Sequence, residues 1–375
     1  MRIVFLCKRR YMSKDVIFDR YARLYEIPYQ LACLGHEVRG YCLSYQGAEQ
    51  GSWQHEAPPG KLHWESRSVD QPNLLNVLRY PFQLLRDLKA FQPDIIIGAS
   101  DIPHVVLGEW LARRLGRPFV ADLYDNFEGF GQARIPGFVR ALRGAVRRAD
   151  LVFTTSEPLQ DMVEKRYRTA GRVIAMPSTV DTTVFKLGSK RLAREALGLP
   201  AEALLIGTAG GLYREKGIAP VYAAWHHICQ TRPDVHLVLA GPADKRLPPP
   251  LGDRVHLLGN LPHAQVAILF QALDLGIISV LDTPFGRYCF PQKAYEMLAC
   301  GLPVVSSSVG EMQNLFAETP QVLFSPNDAM SLASALDRQL AHAVFPNVNI
   351  LDWSDLIGKI EPFLVNLVSE YLGGN

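Results

Sequence analysis

Two stretches place lysine beside glycine in the way a phosphate ligand requires. The first is Gly207-Thr-Ala-Gly-Gly-Leu-Tyr-Arg-Glu-Lys-Gly217, where glycines let the backbone approach an anion and Lys216 supplies a point charge. It is neither a Walker A sequence nor a GxGxxG fingerprint, so by itself it reads as a turn before a helix. The second is Pro284 to Ser308, PFGRYCFPQKAYEMLACGLPVVSSS, a polar and aromatic loop running into a short helix, a glycine stop and a buried strand. If Pro291 opens that helix, Ala294, Met297 and Leu298 share one arc and Lys293, Glu296 and Cys300 the next. A cation and a carboxylate in the first turns suit a ligand carrying both phosphate and hydroxyl groups, because a helix N-terminus favours anions. Spacing alone favours a simpler alternative, a solvated Lys293/Glu296 pair at i, i+3.

The elements that hold these stretches alternate. Residues 1–7 form a β-branched and aromatic run; an apolar-periodic segment follows from about Phe18 to Leu34, then a strand over 36–43. This is the opening of a parallel βαβ series. After a turn-rich region around 51–60, helices are predicted over 74–91, 104–115, 136–148 and 157–166, with strands at 93–98, 118–122, 150–155 and 172–176. A second series follows Pro200, with strands at 204–208, 236–240, 255–258 and 275–279 and helices at 220–230, 264–271 and 331–340. The expected fold class is α/β with two doubly wound domains: residues 1–178, residues 179–351, and a last amphipathic segment, 352–375, crossing back to the first domain. Ligands of such sheets sit outside the carboxyl ends of the strands.

Composition narrows the class. The chain has 375 residues, 48% hydrophobic and 20% charged, which describes a folded two-domain protein rather than a fibre or a disordered chain. RIVFLCKRR is too short for a signal-peptide core and no stretch is apolar enough to span a bilayer, so a cytoplasmic location is expected. The six cysteines form no CxxC pair; neither a disulfide framework nor a metal site is expected. The net charge of +2 hides an asymmetry: residues 1–180 hold 25 Lys+Arg against 19 Asp+Glu, residues 181–375 hold 14 against 18. The basic front half points to an anionic partner. Arg140, Arg143 and Arg147 fall on one face of the helix predicted over 136–148, with Val139, Leu142 and Val146 adjoining. That pattern suits either an anionic membrane surface or a solvated basic face.

In order along the chain, GGLYREKG, VLAGP at 238–242, VHLLGNLPH at 255–263 and FPQKAYEMLACGLPVV at 290–305 resemble the C-terminal domain of family 4 glycosyltransferases. LGHEV at 34–38, PDIII at 93–97, RADLVFTTSE at 148–157 and MPSTVDTTVF at 176–185 extend the resemblance to the front half. It implies a GT-B fold and a retaining, metal-independent transfer of sugar from a nucleoside diphosphate donor to an acceptor hydroxyl in polysaccharide or glycolipid synthesis, with no cofactor and no nucleic acid. Carried over by position, Lys216 is similar to the family's lysine that holds the donor diphosphate and Glu296 to its ribose-binding carboxylate. Gly210, Gly211, Gly310 and Glu311 are further donor-side candidates.

The departures fall at defined positions. The family's Glu-x7-Glu lacks its first member, since Tyr288 stands there. The usual Gly-Arg after the first C-domain strand is Gly210-Gly211. Pro291-Gln-Lys293-Ala-Tyr-Glu296 is similar to a branch with Pro-x-Lys-x-x-Glu, and Lys293 is inferred to replace the missing arginine, with Arg287 as a further candidate. Many relatives carry a histidine after the strand corresponding to 118–122; this chain has Asp122-Leu-Tyr-Asp125-Asn-Phe-Glu128. Asp125 is the first choice for the sugar or acceptor hydroxyl, with Asp122, Glu128 and a purely capping role as competitors. The first loop, Lys8-Arg9-Arg10-Tyr-Met-Ser-Lys14, lacks the family's paired glycines and offers Lys8, Arg9, Arg10 and Lys14 to an acceptor phosphate. Two other functional classes share this frame: a sugar-nucleotide-binding module without transfer, and a GT-B sugar-nucleotide epimerase.

Overall fold

The computed structural model describes residues 1–12, 14–69 and 74–373, so Ser13 of the first basic loop lies outside the described residues. The chain forms two compact units, Met1–Ser178 together with the segment from Trp353 onward, and Thr179–Asp352.

The first unit runs β1 (Arg2–Lys8), β2 (Arg10–Tyr11), β3 (Lys14–Asp15), α1 (Arg23–Cys33), β4 (Glu37–Ser44), β5 (Gly51–His55), β6 (Lys61–Ser68), α2 (Leu74–Phe91), β7 (Ile95–Ala99), α3 (Ile102–Leu115), β8 (Phe119–Leu123), α4 (Phe138–Arg147), β9 (Leu151–Thr154), α5 (Glu157–Met162) and β10 (Arg172–Ala175). Its eight-stranded sheet has the order β10-β9-β8-β7-β1-β4-β6-β5. All neighbours are parallel except the β5–β6 edge. All five residues of β7 and of β8 are buried, as expected where helices cover both faces of a parallel sheet.

The second unit contains α6 (Lys190–Leu197), β11 (Leu204–Ala209), α7 (Ile218–Thr231), β12 (Val235–Ala240), β13 (Val255–Leu257), α8 (His263–Ala272), β14 (Leu275–Ile278), α9 (Pro284–Tyr288), α10 (Lys293–Ala299), β15 (Val304–Ser307), α11 (Glu311–Leu315), β16 (Leu323–Phe324) and α12 (Ala329–Ala341). Its sheet is parallel throughout, in the order β13-β12-β11-β14-β15-β16. The strand order reverses beside β1 in one sheet and beside β11 in the other, and each reversal opens a crevice at the carboxyl ends.

The final helix, α13 (Trp353–Gly373), packs within the first unit. It buries Trp353, Leu356, Ile357, Ile360, Leu364 and Val368. Glu361 meets His36 Nε2 at 3.1 Å, and the Arg172 guanidinium lies 4.5 Å over the Phe363 ring.

Several elements differ from expectation. The region around 51–60 holds the edge strand β5, and β6 follows it; in β6 buried Leu62, Trp64 and Ser66 alternate with polar positions. Residues 157–166 do not form one helix: α5 passes into a π turn over Val163–Tyr167, which buries Tyr167 and sets its hydroxyl on Glu128 at 2.7 Å. Thr283 caps a helical turn, α9, inside the loop before α10.

Candidate functional site

In the second unit the site begins where β11 and β12 end. Gly210 has φ +119°, and a Cβ on Gly241 would lie 1.9 Å from the Gly210 carbonyl oxygen, so these two turns touch backbone to backbone. That contact leaves the Gly210 turn open towards α10. Lys293, the first residue of α10, extends to this turn: its Nζ is 3.4 Å from Thr208 Oγ1, and a Cβ on Gly210 would stand 3.5 Å from it. Burial pushes the Lys293 ammonium down to about 8, with Glu296 opposing the fall and Lys216 adding to it. Lys216 closes the 3₁₀ turn Arg214–Lys216 after Gly211, is exposed, and holds its ammonium 4.2 Å from the Phe285 ring centroid. Lys293 thus reaches the Gly210 turn at the carboxyl end of β11, while the Lys216 stem passes the next glycine, its Cγ 3.9 Å from where a Cβ on Gly211 would stand. The two ammonium groups are near enough to act on each other.

Glu296 is buried one turn along α10 and makes no ion pair with Lys293. Its Oε1 is 3.6 Å from Nε2 of His263, the first residue of α8. His263 stacks edge-on against Phe185 at 4.9 Å. The solvated Lys293/Glu296 pair is therefore excluded, because the two charged ends turn to different partners. Sequence reasoning quoted His263 within a matching stretch but did not single it out; its place just after Pro262, at a helix start, was the available signal. Arg287 is exposed on the short helix α9 and paired to Asp282 just before its cap, and Tyr288 ends that helix half-buried. Gly310, with φ +54°, packs on the same helix end: a Cβ there would come 2.6 Å from the Arg287 carbonyl oxygen. Glu311 opens α11 and raises the pKa of Tyr295, adding to the larger effect of burial.

In the first unit, the carboxyl ends of β1, β7 and β8 converge. Lys8 donates to the Tyr124 hydroxyl at 2.8 Å; burial lowers its pKa against the opposing pull of Asp101 and Asp125. Arg9 is wholly buried, bonded to both Asp15 oxygens at 2.8 Å, and lies 4.8 and 4.9 Å from the Phe18 and Trp53 rings. Those contacts commit it to holding the loop. Arg10 and Lys14 are exposed on the β2–β3 pair. Of the three carboxylates after β8, Asp122 is fully buried against the equally buried Arg23, with Nε at 3.0 and 3.1 Å. Glu128 takes Arg143 at 2.7 and 2.8 Å and the Tyr167 hydroxyl. Asp125 lies between them in sequence, buried, accepting the Asn126 N–H at 2.7 Å.

A further centre was missed. Asp101 caps α3 and accepts from the His104 N–H at 3.1 Å, His104 Nδ1 at 2.5 Å, the Tyr45 hydroxyl at 3.0 Å and Gln132 Nε2 at 3.5 Å. Burial alone would raise its pKa, but the His104 ring and hydrogen bonds hold it below the usual carboxylate value. The available signal was Asp-x-Pro-His, a cap followed by proline at the helix start. No group of three or more His, Cys, Asp or Glu among the described residues is arranged to hold a metal ion.

Residues 23–184 match the family model Glycosyltransferase Family 4, and residues 203–342 match Glycosyl transferases group 1. A Bacillus subtilis protein assigned to teichuronic acid biosynthesis as glycosyltransferase TuaC is 26% identical over 287 residues, 76% of this chain and 69% of the relative. A D-inositol 3-phosphate glycosyltransferase of Stackebrandtia nassauensis is 28% identical over 52% of this chain, and the match spans 46% of that protein. In structure, the chain superposes on sucrose-phosphate synthase from Thermosynechococcus elongatus with TM-score 0.74 and 18% identity, covering 98% and 99% of the two chains. It also superposes on Anabaena HepE in complex with UDP and glucose, with TM-score 0.70 and 20% identity, covering 98% and 100%.

Proposed function

Because the chain belongs to the family 4 glycosyltransferases of GT-B fold, we propose that it moves a sugar from a nucleoside diphosphate donor to an acceptor hydroxyl, with retention and without a metal ion. The observation that carries this reading is the buried Lys293 ammonium at the Gly210 turn with the Lys216 charge close enough to act on it. Transfer leaves a diphosphate whose charge grows as the glycosidic bond breaks, and fixed cations placed where that charge develops lower the barrier most. Glu296 is assigned to the nucleotide ribose: buried against His263, it is oriented to accept hydroxyl protons. On the acceptor side Asp125 is the residue of choice, lying near enough to Lys8 for the two charges to act on each other; Asp122 and Glu128 are each bound by an arginine. Departure and attack on one face of the sugar account for retention, with no covalent intermediate.

UDP is the first nucleotide to try, because solved neighbours hold UDP or UDP-glucose. A place in polysaccharide or glycolipid synthesis accords with the role assigned to the Bacillus relative. No described helix is long and apolar enough to cross a membrane. A peripheral position at the inner membrane face, through Arg140, Arg143 and Arg147, is an alternative use of that basic helix face. Leu142 and Val146 of that helix are buried, so such binding is electrostatic and is lost in salt.

The test is transfer itself, with UDP-sugars and hydroxyl acceptors, read as nucleoside diphosphate release. Lys216→Ala should lose about 100-fold or more in kcat with an unchanged circular dichroism spectrum, a loss typical of removing one charge-stabilising group; near-normal turnover removes the diphosphate assignment. Product anomeric configuration tests retention, turnover in EDTA tests metal independence, and donor epimers appearing without acceptor would identify an epimerase instead.

A further inference from the structure

We propose that an arginine-lined groove on the first unit, between α4 and the π turn Val163–Tyr167, binds a diphosphate carried by the acceptor. That the bearer is the acceptor rests on the transfer reading; that the groove binds diphosphate does not.

The groove has a volume of about 960 Å³ and is lined by Arg140, Arg143, Arg147 and Arg148 of α4 and its end, and by Arg166 and Tyr167 of the π turn. No carboxylate lines it. Two of the five cations are compensated from outside, Arg143 by Glu128 and Arg148 by Glu109 at 2.7 Å. Arg140, Arg147 and Arg166 form no ion pair among the described residues. Three guanidinium groups without an ion pair in one concavity present positive charge to an anion, offset in part by Glu128, which bonds Arg143 and Tyr167 and feels the Arg166 charge. At 1.5 Å per residue, Arg140 and Arg147 are roughly 10 Å apart along the helix, and Arg166 comes from the other element. One phosphate group carries roughly −1.5 to −2 charge, so three free guanidinium groups match two linked phosphates better than one. Each fork can also take a phosphate in a bidentate manner.

The groove also has a position. Glu128, which holds Arg143 at 2.7 Å, belongs to the loop that carries Asp125. A diphosphate in the groove therefore lies beside the loop assigned to the acceptor hydroxyl. A flat bilayer fits less well, because the cations line a concavity and Leu142, Ala145 and Val146 of α4 are buried.

The experiment uses the full chain and inorganic pyrophosphate, read by calorimetry. Because pyrophosphate also suits the donor site, wild type, Lys216→Ala, the triple variant Arg140→Gln/Arg147→Gln/Arg166→Gln and their combination are compared. We expect the triple variant to weaken pyrophosphate binding tenfold or more in the Lys216→Ala background, with an unchanged melting temperature and much weaker binding of inorganic phosphate than of pyrophosphate. Equal affinity with and without the three arginines overturns the proposal. So does a protein that sediments with vesicles of equal parts phosphatidylglycerol and phosphatidylcholine yet ignores pyrophosphate, which assigns the arginines to a lipid surface. Donor turnover is measured separately: pyrophosphate binding without transfer defeats the transferase reading alone, and transfer with an indifferent groove defeats this inference alone.

Discussion

Replacing Lys293 by methionine separates what this residue costs the empty fold from what it contributes to a ligand. Burial lowers its pKa from 10.5 to about 8, so keeping the charge costs the folded state about 3 kcal/mol at most. The folded pKa is the depressed one, so between about pH 8 and 10.5 the unfolded chain binds the extra proton. The cost is fully present below pH 8 and fades as pH rises through that window. At pH 7 the methionine variant should therefore be the more stable protein without ligand, by up to about 3 kcal/mol, and its advantage should shrink towards pH 10.5. Ligand affinity should move the other way. Losing one charge-assisted contact to a diphosphate costs roughly 1.5–3 kcal/mol, about 10- to 150-fold in Kd. Wild-type Kd should also weaken by about tenfold per pH unit above roughly pH 8, as the free ammonium loses its proton, while the variant stays flat. Urea unfolding and calorimetry at about pH 7, 8 and 9 check both halves, using whichever of UDP, GDP and ADP gives the largest thermal shift. A variant less stable than wild type at pH 7, or one whose Kd follows the same pH slope, refutes the reasoning.

Glu296→Ala should weaken nucleoside diphosphate binding about tenfold, as expected for losing a charged acceptor to ribose, and leave pyrophosphate binding unchanged; equal affinity for the nucleotide would return Glu296 to a purely structural role. Asp122→Ala should lower stability by roughly 3–5 kcal/mol, because it strands the fully buried Arg23, and a urea midpoint within error of wild type would contradict that account. Co-sedimentation with anionic vesicles should fall when Arg140, Arg143 and Arg147 become glutamate; absence of wild-type binding ends the membrane reading.

The α/β class was legible because the strands that build both sheets are short buried runs, of which Ile95–Ala99 is the plainest, and their helices carry an apolar stripe. Strands β5 and β6 were not, since an edge hairpin exposes one side and its polar alternation reads as loop. Spacing put Lys293 and Glu296 on one arc of α10 but could not show which neighbour buries the carboxylate, because His263 is 33 residues away. Arg9 read as an available cation for a similar reason: Asp15, Phe18 and Trp53 meet it only once the loop has folded. The Asp101 centre draws on residues 45, 101, 104 and 132, and no local pattern announces such a gathering.

The placement of α13 sets an order of events during synthesis. The first 178 residues are made without the helix that packs on α1 and meets His36 and Arg172, and the whole second unit is synthesised before that helix. The second unit is continuous in sequence and can mature while the first still waits with an uncovered apolar face. A released chain truncated after Asp352 should therefore display a protease-resistant second unit beside a first unit still open to cleavage and to chaperone capture.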